Sequence, residues 1–155
     1  MNIIMTGSTS FVGAATVREL LRRGHTVTAI VRPKSSKLDT ILEGNEEALL
    51  SGRLLVTEND LSEPEKLLEK VTKPQDVFCH FGWGGSGSAS RTDKALQEKN
   101  MEISLETIRT AKALGRLPGG VGNAPGSDHG EHGLRAEILV WRGEACHAGK
   151  GRKTL

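Results

Sequence analysis

No tyrosine occurs in the 155 residues, and the aromatic complement is three phenylalanines and two tryptophans. Any reaction that needs a phenol as general acid or base is closed to such a chain. Cysteine is nearly as scarce. Cys79 and Cys146 make no disulfide framework, and a reduced, cytoplasmic setting is the simpler expectation. No run approaches the ~18 apolar residues of a membrane span. The N-terminal apolar stretch is too short for a signal peptide and lacks a basic flank. The formal net charge is only +2, which gives no reason to expect a nucleic-acid or membrane partner. Hydrophobic content of 36% lies below the usual ~45–50%, although that reference also counts glycine. A chain of this length reads as one domain, able to bury roughly 68–70% of its unfolded surface if all of it folds.

What is present begins at the N-terminus. Asn2-Ile3-Ile4-Met5 reads as a buried strand, and Thr6-Gly7-Ser8-Thr9-Ser10-Phe11-Val12-Gly13 follows as a glycine-bearing turn. A helix is expected from Ser10 to Arg23, with Val17, Leu20 and Leu21 on one face and Arg18, Glu19, Arg22 and Arg23 on the other. Gly24 suits the left-handed position after it, and Arg22 and Arg23 complement the helix dipole. Residues 25–31 are rich in β-branched types and read as a second strand. Strand, turn and helix in this order aim backbone N–H groups at a bound anion, and such a site favours a pyrophosphate.

A dinucleotide site for NAD places a carboxylate at the end of the second strand. Here Val31 is followed by Arg32, with Lys34 and Lys37 close behind. A guanidinium grips a 2′-phosphate that a carboxylate would repel, so NADP is favoured over NAD as the cofactor. The competing reading is a solvated basic loop.

Further along, residues 36–50 suggest a helix interrupted near Gly44-Asn45, and residues 53–57 a third strand. Ser62-Glu63-Pro64-Glu65 reads as a capping box opening a helix that carries Leu67, Leu68 and Val71. Asp76-Val77-Phe78-Cys79-His80-Phe81 is continuous enough for a strand in a buried parallel sheet. Residues 82–88, four of them glycine, read as a flexible loop at the carboxyl end of that strand, where α/β sheets bind ligands. A helix is expected from Thr92 to Leu114, with Leu96, Asn100, Ile103, Thr107, Ala111 and Leu114 along one face and Gly115 as its cap. The unbroken alternation of strand and helix makes the fold class α/β with a parallel sheet.

These segments together resemble the extended short-chain dehydrogenase/reductases, the NAD(P)-dependent epimerase/dehydratase family of nucleotide-sugar enzymes. Residues 6–13 look like the family's T-G-x-x-G-x-x-G loop, with Ser10 in place of the middle glycine. Asp60-Leu61 resembles the pair that contacts adenine, and residues 76–83 the D-V-x-x-H-x-A-A segment beside the cofactor ribose and nicotinamide. Asn100 matches an asparagine recurring in the next helix. The resemblance covers residues 1–115 and implies a Rossmann-type doubly wound parallel sheet, truncated after about four strands, with an irregular C-terminal tail. It implies cofactor contacts from Gly7, Thr9, Ser10, Phe11, Val12 and Gly13 at the pyrophosphate and Arg32 at the adenosine ribose. Asp60 and Leu61 would flank adenine, and Phe81, Gly82 and Trp83 would line the nicotinamide side. Serine at position 10 is small and a good N-cap, so it is expected to adjust binding without abolishing it. Singly, these residues keep plainer readings. Asp60 reads as a cap, His80 as a satisfied core histidine, Asn100 as a packing residue, and Trp83 as either core or a substrate-loop aromatic.

The family next has an apolar strand and a catalytic Tyr-x-x-x-Lys. This chain instead has Arg116-Leu117-Pro118-Gly119-Gly120, and nine of its 19 glycines fall after Gly115. Residues 116–155 therefore read as a disordered extension or as a gene read out of frame, the latter favoured. Residues 138–141 suffice for one short strand or helix that covers an open sheet edge. His129, His132, Cys146 and His147 fit no zinc spacing, and no metal is assigned. No catalytic residue is assigned either. The expected function is the NAD(P)-binding portion of an epimerase/dehydratase-type oxidoreductase, inactive as this chain. The alternatives are a non-catalytic NADP sensor module or a non-functional truncated product.

Overall fold

A computed structural model describes residues 1–85, 87–114 and 139–142. The chain opens with β1 (Asn2–Thr6), α1 (Phe11–Arg22) and β2 (Thr26–Val31), followed by two short helices, α2 (Asp39–Leu42) and α3 (Glu46–Leu50). Next come β3 (Leu54–Glu58), a 3₁₀ turn (Pro64–Lys66), α4 (Leu67–Lys70) and β4 (Val77–His80). Two helices, α5 (Ser88–Arg91) and α6 (Lys94–Leu114), and a last strand, β5 (Leu139–Arg142), complete the described residues.

The strand order is β3-β2-β1-β4-β5. The first four strands run parallel, with Ile3 opposite both Val27 and Val77 in the ladder. This is the doubly wound arrangement the alternation predicts. Beyond the four expected strands, β5 pairs antiparallel with β4, Val77 opposite Arg142, so a strand within the tail covers that sheet edge. The remaining tail, with its histidines, Cys146 and the Gly115 cap, lies outside the described residues.

Alternation along the strands divides the core. Ile3, Met5, Val27, Ala29 and Cys79 face α1, whose Ala14, Val17 and Leu21 are buried against them. Ile4, Ile30 and Phe78 face the other way, onto Leu67 and Val71 and onto Ala111 and Leu114 of α6. Both faces are covered, as a parallel sheet requires. The interruption near residue 44 is real, with Gly44 at φ +75° between α2 and α3.

Three local expectations need correction. Ser62 and Glu65 form no capping box. The Ser62 hydroxyl and N–H both donate to Asp60 Oδ1, at 2.8 and 2.9 Å, and Pro64–Lys66 winds as a 3₁₀ turn with no side-chain cap. An ionised carboxylate two residues back is a stronger acceptor than the orphan helix amides are donors. The long helix begins at Lys94 rather than Thr92, because Asp93 Oδ1 accepts from Leu96 N–H at 3.1 Å and α5 ends just before it. Its buried face keeps four of the six expected residues and is widened by polar neighbours. Gln97 and Ser104 are buried with Asn100, Thr107, Ala111 and Leu114, while Leu96 and Ile103 sit at its side.

Candidate functional site at the carboxyl edge of the sheet

The sheet order reverses between β1 and β4, so the crevice above their carboxyl ends is where such a fold takes ligands. The loop of residues 7–10 fills the near side of that crevice. Gly7 has φ +66°, and a Cβ there would overlap the Phe81 backbone, so only glycine lets the β1 and β4 exits meet. A Cβ on Gly13 would overlap the Gly7 carbonyl, which explains why α1 can start this close to the turn.

Ser10 stands at the N-cap of α1 with φ −74° and ψ 163°, and its Oγ accepts from Gly13 N–H at 3.0 Å. That backbone conformation is open to any L-residue, so serine meets no conformational barrier there. The cap consumes the Gly13 N–H. The Phe11 and Val12 N–H groups, one and two positions into the helix, have no acceptor among the described residues. Their side chains are turned out to solvent, Phe11 at 94% exposure. Two unpaired N–H groups at the positive end of a twelve-residue helix, beside a glycine turn, fit a pyrophosphate.

Arg32 follows β2 directly and is exposed. Asp60 lies near enough that the Arg32 and Lys99 charges help hold its carboxyl below the usual range, although hydrogen bonds from Ser62 are the main cause. Only Oδ1 of Asp60 is engaged by Ser62, so Oδ2 remains open to a donor. Leu61 is half-buried, and a Cβ on Gly82 would overlap its Cδ1. Leu61, Gly82, Phe81 and Gly7 therefore meet over the β1/β4 crevice, with Arg32 and Asp60 on its β2 side. The indole N–H of Trp83, on the β4 side, donates to Gln97 Oε1 of α6 at 2.9 Å. Thr9 is half-buried at the turn, and its hydroxyl has no hydrogen-bond partner among the described residues.

Below the loop runs a buried polar chain. Thr6 Oγ1 lies 2.7 Å from His80 Nδ1, His80 Nε2 lies 3.0 Å from Ser104 Oγ, and Ser104 donates to the Asn100 carbonyl at 2.8 Å. The Ser104 hydroxyl has one proton and gives it to that carbonyl, so it can only accept from His80. Nε2 therefore carries the ring proton, and Nδ1 accepts from Thr6. Burial pushes the imidazole down to about 4, so it is neutral and satisfied rather than a proton carrier at pH 7. Cys79, beside it on β4, is pushed up by burial to about 11 and is an inert thiol.

The glycine-rich stretch after β4 is not free. Asn100 accepts from Gly84 N–H at 3.1 Å and donates to the Gly84 carbonyl at 2.9 Å. Gln97 holds Trp83 and also donates to the Ser90 carbonyl at 2.8 Å. Four hydrogen bonds from α6 thus tie Trp83, Gly84 and, in α5, Ser90. Glycine allows the close approach, because a Cβ on Gly85 would overlap Leu96. The signal for Gln97 and Ser104 lay in the sequence as polar residues three and four apart around Asn100, a spacing that puts them on one buried face.

A family model described as NAD dependent epimerase/dehydratase family matches residues 3–117. The chain belongs to that family. Its curated relatives include the D-erythronate dehydrogenase of Cupriavidus necator, 29% identical over 119 residues, which are 76% of this chain and 36% of that protein. A divinyl chlorophyllide a 8-vinyl-reductase of Oryza sativa subsp. indica is 54% identical over 33 residues, covering 21% of this chain and 8% of the reductase. The chain thus spans about a third of the dehydrogenase and less of the reductase. Among solved structures, the UDP-glucose 4-epimerase of Thermus thermophilus in complex with NAD superposes with a TM-score of 0.57 at 19% identity, covering 76% of this chain and 35% of that one. A protein described as a short-chain dehydrogenase/reductase of Burkholderia multivorans, with bound NADP, gives 0.58 at 20% identity, covering 73% and 53%. At these identities the structural likeness speaks for the fold. The family carries with it a nicotinamide dinucleotide cofactor, and among the described residues no helix is long and apolar enough to cross a membrane.

Proposed function

We propose that this chain is the NAD(P)-binding portion of an epimerase/dehydratase-type oxidoreductase acting on a nucleotide-sugar-like substrate, and that these 155 residues bind the dinucleotide without turning it over. The observation that carries the reading is the pair of unpaired Phe11 and Val12 N–H groups above the Gly7–Phe81 contact. A pyrophosphate placed there sends its adenosine half toward Arg32, Asp60 and Leu61, and its nicotinamide half toward Phe81, Gly82 and Trp83. When bound, the nicotinamide supplies hydride chemistry. This chain's own residues bind and orient the cofactor, and it holds no tyrosine to exchange a proton with a substrate hydroxyl. Arg32 supports NADP over NAD, since its guanidinium can pair with a 2′-phosphate.

Calorimetric titration with each cofactor tests this. NADP is expected to bind about tenfold more tightly than NAD, a margin typical of one charge-assisted contact, and Arg32→Ala should erase it. Tighter NAD binding would sink the preference. With UDP-glucose added, no change in absorbance from reduced cofactor is expected.

A second reading, a non-catalytic NADP-binding module, is favoured by the neutral His80 chain, which stabilises the site without serving proton transfer. Binding with a cooperative melt and no turnover fits the module. No binding and no cooperative melt would indicate a non-functional product. The out-of-frame reading of residues 116–155 fails if neither alternative frame of the coding DNA yields an apolar strand and a tyrosine motif.

A further inference from the structure

The first turns of α6 do more than close the domain. Gln97 is 6% exposed and uses both ends of its amide, one on the Trp83 indole and one on the Ser90 carbonyl. One turn on, Asn100 grips both backbone groups of Gly84. An indole whose N–H is held by a buried amide, and whose next residue is clamped, has little freedom to rotate. Trp83 is only partly buried, so the held residue stays accessible from outside. It lies on the β4 side of the crevice, opposite Arg32 and Asp60 on the β2 side, with the Gly7 turn between. A ligand centred on that turn with one end at Arg32 runs its other end toward the β4 exit, which Trp83 follows by three residues.

We propose that Gln97 is a positioning residue that fixes the Trp83 indole as a flat wall for the nicotinamide end of the dinucleotide. This rests on the cofactor reading above and adds which residue sets the far end of the site. A planar aromatic held in place gives stacking contact without losing side-chain freedom on binding, so the ring is worth more pinned than loose. Gln97 itself touches no ligand.

The test uses the full chain, two nucleotides and one coupling. Adenosine 2′,5′-bisphosphate carries the adenosine end and no nicotinamide. Gln97→Met keeps the length of the side chain and removes both polar ends. It should weaken NADP about fivefold, the scale of one aromatic contact, and leave adenosine 2′,5′-bisphosphate unchanged. Trp83→Phe keeps a ring but no N–H, so in that background Gln97→Met should add little further loss. Equal weakening of both nucleotides, or additive losses, overturns the proposal in favour of a general packing role. Gln97→Asn, whose amide is one methylene short, replaces Gln97→Met if that variant fails to melt cooperatively.

A ligand-free readout separates this proposal from the cofactor reading. In a Trp141→Phe background Trp83 is the one indole in the chain. Gln97→Met should shift its emission to the red as the ring is released to water, and an unmoved spectrum overturns the pinning. If the unsubstituted chain binds neither nucleotide, the cofactor reading fails and the nicotinamide wall with it. The emission arm then decides the pinning on its own.

Discussion

Two glycine-bearing turns leave the sheet side by side, after β1 and after β4, and they are held by different means. The first is locked by backbone against backbone, with Gly7 under Phe81 and Gly13 under Gly7, and one serine cap. The second is held by side chains reaching over from α6, with two amides making three hydrogen bonds to Trp83 and Gly84 and a fourth to Ser90 of α5. The second is the richer in glycine, with four in residues 82–88 against two in residues 7–13. Order at this edge is therefore decided by what the glycines let approach, a close backbone in one case and a buried amide in the other.

The contrast can be broken from the backbone side first. Gly7→Ala places a Cβ into the Phe81 backbone at positive φ, and a loss of about 3 kcal/mol or more is expected by denaturant unfolding. Gly24 is the control. It has φ +79° and nothing within 4 Å, so Gly24→Ala should cost only about 1 kcal/mol, from the φ alone. Equal losses would show that the Gly7–Phe81 approach carries no energy of its own.

Both turns rest on His80, and acid should loosen them together. The ring titrates at about 4 when folded, against an ordinary 6.5 when unfolded. The unfolded chain thus takes up the proton first, so the contribution is full above pH 6.5 and is lost as pH falls through 4. The whole swing is about 3 kcal/mol, from ~1.4 kcal/mol per pKa unit. His80→Gln should flatten that part of the stability profile, and an unchanged slope between pH 6.5 and 4 would assign the loss to other groups.

On the side-chain route, Asn100→Ala orphans both backbone groups of Gly84 and should cost about 2 kcal/mol. Faster amide exchange at Gly84 with no change at Ser10 would confirm that the two turns are held separately. Smallest is the cap. Ser10→Ala should cost about 1 kcal/mol and Ser10→Gly only a few tenths, read as shifts in melting temperature.

Much of this was legible beforehand. The β-branched and apolar runs marked the four parallel strands, and the glycine turn ahead of an amphipathic helix marked the first βαβ unit and the carboxyl end of β1. The Ser62 capping box shows one limit, since an ordinary capping pattern there lost to a carboxylate two residues earlier. The stretch after β4 shows another. Nothing within residues 82–88 reveals that amides a turn of α6 apart will hold it, because those contacts span about fourteen to sixteen positions. Gln97 and Ser104 were absent from the face expected of that helix, which counted its apolar positions and Asn100. Pairings between distant segments are what local pattern cannot supply.

The strand order has a further consequence for how the domain comes apart. β1 lies between β2 and β4, with Ile3, Ile4 and Met5 at 0–2% exposure and helices over both faces. Its amides should be the last to exchange with solvent deuterium, and exchange at β3, the outermost parallel strand, need not wait for them. Because Gly7 continues directly from Thr6 at the end of β1, the first glycine turn is anchored to the slowest-opening strand of the sheet. Partial unfolding from the β3 side would release Asp60 and Leu61, which follow β3, while the Gly7 turn stayed in place.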